Sequence, residues 1–268
     1  RKDLLIGQAD GTIKIFLNIG ADSNPVFDAG QLVMVSSPGV PLDAGARATP
    51  AFLDWDNDFK TDLVIGGYDG KIRLYLNCGC GGAIPPHFYT SSPSGIPVQA
   101  DGSDLVVPSV RSSPVIMDLD GDGRKDILTG NTNGQLLFYS NVGTDAAPAF
   151  SGYSLVESDG VPIDLPDSPR SRPDVCYWTG DGHFGPIDGY PDVLIGAGDG
   201  KVRLYQGKPH PGDIDGDGDV DFTDFASFAV RWRQSACGQC GAADLTADGN
   251  VNTDDLREFA ANWLLGLD

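Results

Sequence analysis

Residues 118–139 read Asp-Leu-Asp-Gly-Asp-Gly-Arg-Lys-Asp-Ile-Leu-Thr-Gly-Asn-Thr-Asn-Gly-Gln-Leu-Leu-Phe-Tyr. The first nine place Asp at positions 1, 3, 5 and 9 (Asp118, Asp120, Asp122, Asp126). A short apolar run follows, and Asn133-Gly134 separates it from a second one. Asn-Gly or Asp-Gly between two such runs signals a β-hairpin, because Gly supplies the positive φ of the tight turn. Oxygens at alternate positions of a tight loop can converge on a hard cation. With position 7 (Arg124) offering its backbone carbonyl, the set suits oxygen-preferring Ca²⁺.

The pattern recurs. Asp3-Leu-Leu-Ile-Gly, Asp62-Leu-Val-Ile-Gly, Asp126-Ile-Leu-Thr-Gly and Asp192-Val-Leu-Ile-Gly each precede an Asp-Gly or Asn-Gly turn and an alternating segment, and the leading Asp residues are 59, 64 and 66 apart. One more strand precedes the hairpin, at Pro50-Ala-Phe-Leu and Pro114-Val-Ile-Met, and another is expected at Pro25–Phe27, Pro86–Phe88 and Pro148–Phe150. Each unit closes with Gly39-Val-Pro41, Gly95-Ile-Pro97 or Gly160-Val-Pro162. Four strands per repeat make one β-propeller blade, so the fold class is mainly β: about four blades, the first truncated. The repeat exceeds the roughly 40–50 residues common for blades, and the excess is expected as surface loops around the outer strand and the Gly-Val-Pro segment.

A second loop before a hairpin carries Asp54, Asp56, Asp58 and Asp62 at the same positions, with Lys60 at position 7. In the fourth copy Tyr177 and Thr179 replace the first two Asp residues, leaving Asp181, Asp188 and Asp192 as a looser ligand set.

After the Pro/Gly linker 208–212 the pattern changes, which sets domain boundaries of 1–207 for the repeats and 213–268 for a small C-terminal module. Two twelve-residue loops carry Asp213, Asp215, Asp217, Asp219, Asp221 and Asp224, and then Asp244, Thr246, Asp248, Asn250, Asn252 and Asp255, at positions 1, 3, 5, 7, 9 and 12. This is EF-hand-type ligand spacing, with Gly218 and Gly249 at the sharp turn. The helices that follow match at an offset of 31, pairing Phe225 with Leu256, Phe228 with Phe259, Ala229 with Ala260 and Trp232 with Trp263 on one face. Phe225, Phe228 and Trp232 are expected in the core of this module, with Phe222 outside it.

The 268 residues carry 38 acidic and 18 basic side chains, a net charge of -20, which disfavours binding to a nucleic-acid backbone. No apolar run approaches the roughly 18 residues of a membrane helix, so the chain is not expected to span one. Five cysteines (Cys78, Cys80, Cys176, Cys237, Cys240) form no zinc set, and suggest local disulfides or free thiols in a secreted protein.

The Asp-rich loop and hairpin of residues 1 to about 207 resemble the FG-GAP/VCBS repeats of integrin-α-like β-propellers, which implies calcium in the loop between the first two strands of a blade. Residues 213 to 265 resemble a type I dockerin, which implies calcium-dependent docking onto a cohesin-like domain. In that resemblance loop positions 10 and 11 carry partner choice: here Phe222, Thr223, Thr253 and Asp254. Arg1-Lys2-Asp3 matches Arg124-Lys125-Asp126, as positions 7 to 9 of a loop whose beginning lies outside the sequence, so a processed or partial form of a longer protein is expected.

The leading functional expectation is an extracellular or cell-surface, calcium-stabilised binding or structural protein, attached through the dockerin-like module to a scaffold. A self-assembling surface or filament subunit, taking other copies of itself at the open first blade, is the second. A polysaccharide-degrading enzyme is the third, although His87, His183 and His210 sit in no catalytic setting and nothing marks Glu157 or Asp164 as an acid pair.

Overall fold

The computed structural model describes residues 1–35, 39–79, 88, 92–158, 160–165, 170–176, 191–207, 211–215, 220–236 and 240–263. They belong to two compact units, the first drawn from Arg1–Met117, Lys125–Asp174 and Ile195–Arg203, the second from Asp118–Arg124, Val175–Leu194 and Leu204–Asp268. The chain is mainly β, in several small antiparallel sheets.

Two sheets have four strands, in chain order: Thr49–Leu53, Asp62–Gly66, Ile72–Tyr75 and Ile96–Pro97, then Ser113–Met117, Asp126–Gly130, Leu136–Tyr139 and Ser154–Leu155. A three-stranded sheet of Leu4–Gly7, Ile13–Phe16 and Gln31–Leu32 precedes them, and one of Arg172–Cys176, Asp192–Gly196 and Val202–Tyr205 follows. The hairpin turns pivot on Gly11, Gly70, Gly134 and Gly200, all at positive φ (94°, 82°, 94° and 77°).

The strands Asp62–Gly66 and Asp126–Gly130 are buried along their whole length, which explains why they read as continuous apolar runs. Successive side chains point to opposite faces. Leu63 and Ile65 therefore join a core with Ile13, Ile15, Val33 and Leu42 of the preceding repeat, while Val64, with Ile72 and Leu74, joins one with Ile127, Leu137 and Tyr139 of the following repeat. Each such sheet is packed on both faces. Gly7, Gly66 and Gly130 permit the close approach: a Cβ there would lie 2.0, 2.3 and 2.0 Å from the carbonyl oxygens of Ala48, Ser112 and Ser171.

Three expectations need correction. The Pro-x-Phe segments at Pro25–Phe27 and Pro148–Phe150 are not blade strands, and Pro86 and His87 lie outside the described residues. Phe27, Phe88 and Phe150 make isolated bridges to Asn18, Asn77 and Asn141, and the buried Phe88 and Phe150 each make a second one, to Val35 and Ala100. Gly95-Ile-Pro97 is not equivalent to the other two Gly-x-Pro segments. Ile96–Pro97 is the fourth strand of its sheet, whereas Val40–Pro41 and Val161–Pro162 pair with Met34–Val35 and Glu157–Ser158 in separate two-stranded ribbons. The ribbon matching those is Gln99–Ala100 with Ser103–Asp104. These ribbons, the source of the long repeat, are not mere surface loops, because Val33, Leu42, Ala44, Val98, Leu105 and Val107, next to their strands, are all buried.

In the second unit, helices α1 (Phe222–Val230) and α2 (Thr253–Ala261) start at the residues that the offset of 31 makes equivalent. Asp221 and Asn252 are the N-caps, and Asp224 and Asp255 complete capping boxes at N3. The core is Val220, Phe228, Cys240, Ala243, Val251 and Phe259. Phe225 and Trp232, expected inside, are 41% and 36% exposed. Helices of nine residues turn a narrow stripe inward, and Phe228 and Phe259 fill it, their rings 5.4 Å apart. Trp232 lies beside Phe228 and Phe225 beside Phe259. No helix among the described residues is long and apolar enough to cross a membrane.

Gly130→Ala is expected to cost about 3 kcal/mol by driving a methyl group into the Ser171 carbonyl. Gly160→Ala, at φ 73° with nothing within 4 Å, should cost about 1 kcal/mol from backbone strain alone. Urea unfolding of the two variants checks the order; equal losses would contradict the close packing.

Candidate metal centre

Three of the Asp-rich loops share one backbone geometry. The position-1 carboxylate accepts the amides of positions 5 and 6. Asp54 receives Asp58 N and Phe59 N (3.1 and 2.9 Å), Asp118 receives Asp122 N and Gly123 N (3.2 and 2.9 Å), and Asp244 receives Asp248 N and Gly249 N (3.1 and 2.8 Å). The position-5 carboxylate accepts the amide of position 7: Lys60 to Asp58 at 2.9 Å, Arg124 to Asp122 at 3.0 Å, Asn250 to Asp248 at 2.8 Å. Positions 4 and 6 are left-handed in all three, at Asn57 and Phe59, Gly121 and Gly123, and Ala247 and Gly249. That curl turns the carboxylates toward a common centre.

The outcome is four clusters in which one ligand atom per residue lies within 4.8 Å of the others: Asp54, Asp56 and Asp58; Asp118, Asp120 and Asp122; Asp213, Asp215 and Asp224; and Asp244, Asp248 and Asp255. All are carboxylate sets, the donor type of a hard cation. Burial pushes the Asp118 carboxyl upward, and the charges of Asp120 and Asp122 push the same way. In the first loop Lys60 Nζ lies 2.5 Å from Asp58 Oδ2, and this bond holds the exposed Asp58 carboxyl below its ordinary range. Arg124 makes the equivalent pair with Asp122.

Asp62 and Asp126, expected as position-9 ligands, are not in these clusters; the described bonds give them another task. Asp62 is buried and accepts Trp55 N and Asn77 N, each at 2.8 Å, and burial, reinforced by Asp56 and Asp58, raises its carboxyl. Asp126 accepts Asn141 N at 2.8 Å, Asp192 accepts Gly207 N at 2.9 Å, and Asp3 accepts Asn18 N at 2.7 Å. In every repeat this Asp ties the start of a hairpin to the residue fifteen further on, just beyond its end.

Asp181, Asp188, Asp217 and Asp219 lie outside the described residues. Asp221 and Asn252 serve as N-caps, accepting Thr223 N at 2.6 Å and Asp254 N at 2.9 Å. Asp224 accepts Ile214 N, Asp215 N and Asp221 N, and Asp255 accepts Thr246 N, Thr246 Oγ1 and Asn252 N. Burial works against the charge on Asp255, but those bonds hold its carboxyl below the ordinary range. Phe222, Thr223, Thr253 and Asp254 are all exposed, Phe222 at 74% with its ring edge-on to Trp263 and Asp254 paired with Arg257.

Sequence reasoning gave no role to the Asn that ends three of the four hairpins. Asn18 Oδ1 accepts Gly20 N and Val26 N, and Asn141 Oδ1 accepts Gly143 N and Ala149 N, which pins the Pro-x-Phe segment. Its recurrence at Asn18, Asn77 and Asn141 was the available signal. Asp145 was also missed: it bonds Asn57 of one loop and Lys125 of the next repeat.

No protein-family model matches the chain, and no curated protein matches it. Among solved structures there is a match to a chain in the structure of the Photorhabdus luminescens Tc holotoxin pore, 18% identical, with a TM-score of 0.38. The match covers 75% of this chain and spans only 8% of that one, and at that TM-score it assigns no fold.

In calcium-free buffer Asp62→Ala is expected to lose about 2–4 kcal/mol, because two amides lose their buried acceptor. Asp56→Ala, relieving like charge, should stay within about 0.5 kcal/mol. Denaturant titration separates them, and an equal cost would refute the structural role of Asp62.

Proposed function

We propose that this chain is an extracellular calcium-stabilised binding or structural protein, in which propeller-type repeats are attached through a dockerin-like module to a cohesin-like domain on a scaffold or surface. The observation that carries the reading is the common curl of three loops, two set between strands and one ahead of a helix, aiming three carboxylates at one point each time. Bound Ca²⁺ would neutralise charges that otherwise repel and would cross-link the ends of each loop. Asp54, Asp56 and Asp58, and Asp118, Asp120 and Asp122, with the carbonyls of Lys60 and Arg124, would hold it in the repeats. Asp213, Asp215 and Asp224, and Asp244, Asp248 and Asp255, would hold it in the module.

Sheets packed on both faces support a propeller-type stack of blades. The disulfide bonds of Cys78 and Cys240 support an oxidising, extracellular setting. Engagement of the repeated carboxylates in loop clusters or with backbone amides supports binding over catalysis. The exposed Phe222, Thr223, Thr253 and Asp254 offer a docking surface at the helix starts.

Calcium at about a hundredfold above its dissociation constant is expected to add roughly 2.7 kcal/mol per independent site. Identical melting curves in calcium and in excess chelator would overturn the proposal. Asp213→Ala with Asp244→Ala should abolish capture by an immobilised cohesin-type module while the strand signal in circular dichroism persists. Retained capture would show that the folded module is not what binds.

A further inference from the structure

Four arginines line one small cleft in the first unit: Arg47, Arg111, Arg170 and Arg172, with Ser113 and Asn131 beside them. Three of them occupy the same place in successive repeats, in Arg47-Ala-Thr-Pro50, Arg111-Ser-Ser-Pro114 and Arg170-Ser-Arg-Pro173, spaced 64 and 59 residues apart. All three are left-handed, with φ of 60°, 59° and 81°, a conformation rarely adopted by long side chains and concentrated where function requires it. The backbone enforces it. Arg47 N donates to Ala9 O, Arg111 N to Tyr68 O and Arg170 N to Thr132 O, at 3.0–3.2 Å. In each case the next amide donates to the preceding repeat as well: Ala48 to Gln8, Ser112 to Gly67 and Ser171 to Asn131. The contact that docks one repeat on the last therefore delivers one guanidinium to the cleft per repeat.

What these cations do not do is also informative. Arg73 and Arg203 pair with Asp69 and Asp199, and Arg124 and Arg257 with Asp122 and Asp254. Among the described residues none of the four cleft arginines pairs with a carboxylate, in a chain with 38 acidic side chains and only 18 basic ones. Arg111 stacks over Tyr68, 4.9 Å from the ring centroid. Burial lowers the Arg111 guanidinium from its ordinary range, and the charges of Arg47 and Arg170 lower it further. The side-chain hydroxyls of Ser112 and Ser171 are turned to the Lys71 and Gln135 carbonyls, which leaves the guanidiniums as the charged donors for a ligand.

We propose that Arg47, Arg111, Arg170 and Arg172 form an oxyanion-binding site that takes the carboxylate or sulfate group of an anionic ligand. The guanidinium fork matches two oxygens of either group. The cleft is only about 20 Å³, so it admits the tip of such a group while the rest of the ligand stays outside. None of the residues lining the cleft belongs to the four carboxylate clusters.

The test is isothermal titration of the full chain, at one fixed calcium concentration, with sodium glucuronate and with sodium sulfate, against sodium chloride at matched ionic strength. Saturable heat with either oxyanion but not with chloride supports the proposal: glucuronate alone identifies a carboxylate ligand, sulfate alone a sulfate ester. Arg47→Asn and Arg170→Asn keep a residue that tolerates the left-handed backbone. Each is expected to weaken binding on the order of tenfold. Without oxyanion both variants should melt no lower than the parent chain, since each removes like-charge repulsion. Absence of saturable heat with both anions, or binding unchanged in both variants, would overturn the proposal, and a lower melting point with unchanged binding would assign the arginines a structural role instead.

Discussion

A carboxylate accepting backbone amides is the interaction on which this architecture rests. A desolvated carboxylate is costly unless its lone pairs are filled, and an amide at the end of a hairpin is costly if buried without an acceptor. Asp62, Asp126 and Asp192, buried at the start of a strand, meet both demands by holding the residue that follows their own hairpin. The same chemistry on a shorter scale curls the Asp54, Asp118 and Asp244 loops. The side chain that is costliest to bury thus fixes where each hairpin begins and ends, and the apolar strands are carried into register with it.

Much of this was legible in the sequence, and the limits have physical causes. The runs from Asp62 to Gly66 and from Asp126 to Gly130, followed by Asp-Gly or Asn-Gly, specify hairpins because turn chemistry and burial agree. The two-residue strands were not legible. Gly95-Ile-Pro97 resembles Gly39-Val-Pro41 letter for letter in type, yet two residues carry no periodicity from which to read a partner. The recurrence of Pro-x-Phe suggested strands, whereas at Pro25–Phe27 and Pro148–Phe150 the bonds that Asn18 and Asn141 accept from Val26 N and Ala149 N hold the backbone. In the C-terminal module the offset of 31 located both helices, but the pattern overstated the buried stripe, since among the described residues Phe225 and Trp232 stay partly exposed.

Asp62 and Asp126 show how one side chain can stand at a ligand spacing and also carry a structural bond. Spacing alone places an Asp at position 9, and does not show the amides that it also accepts. The loops before α1 and α2 end differently, in capping boxes that use Asp224 and Asp255 both at the helix start and in the carboxylate cluster. Helix initiation and the placement of the carboxylate cluster there share side chains, so neither can change without the other.

The two-faced burial of the strand Asp62–Gly66 has an evolutionary consequence. Leu63 and Ile65 serve one neighbour and Val64 the other, so this sheet carries half of two interfaces, much as a tile carries both edges of a seam. Copying a whole repeat supplies two matching edges at once, and the array lengthens without a new core having to be invented. Loss or gain of a single residue within such a strand would exchange its two edges. Lineages carrying this architecture should therefore vary in units of entire repeats, with smaller insertions confined to the segments between the ribbons and the strands.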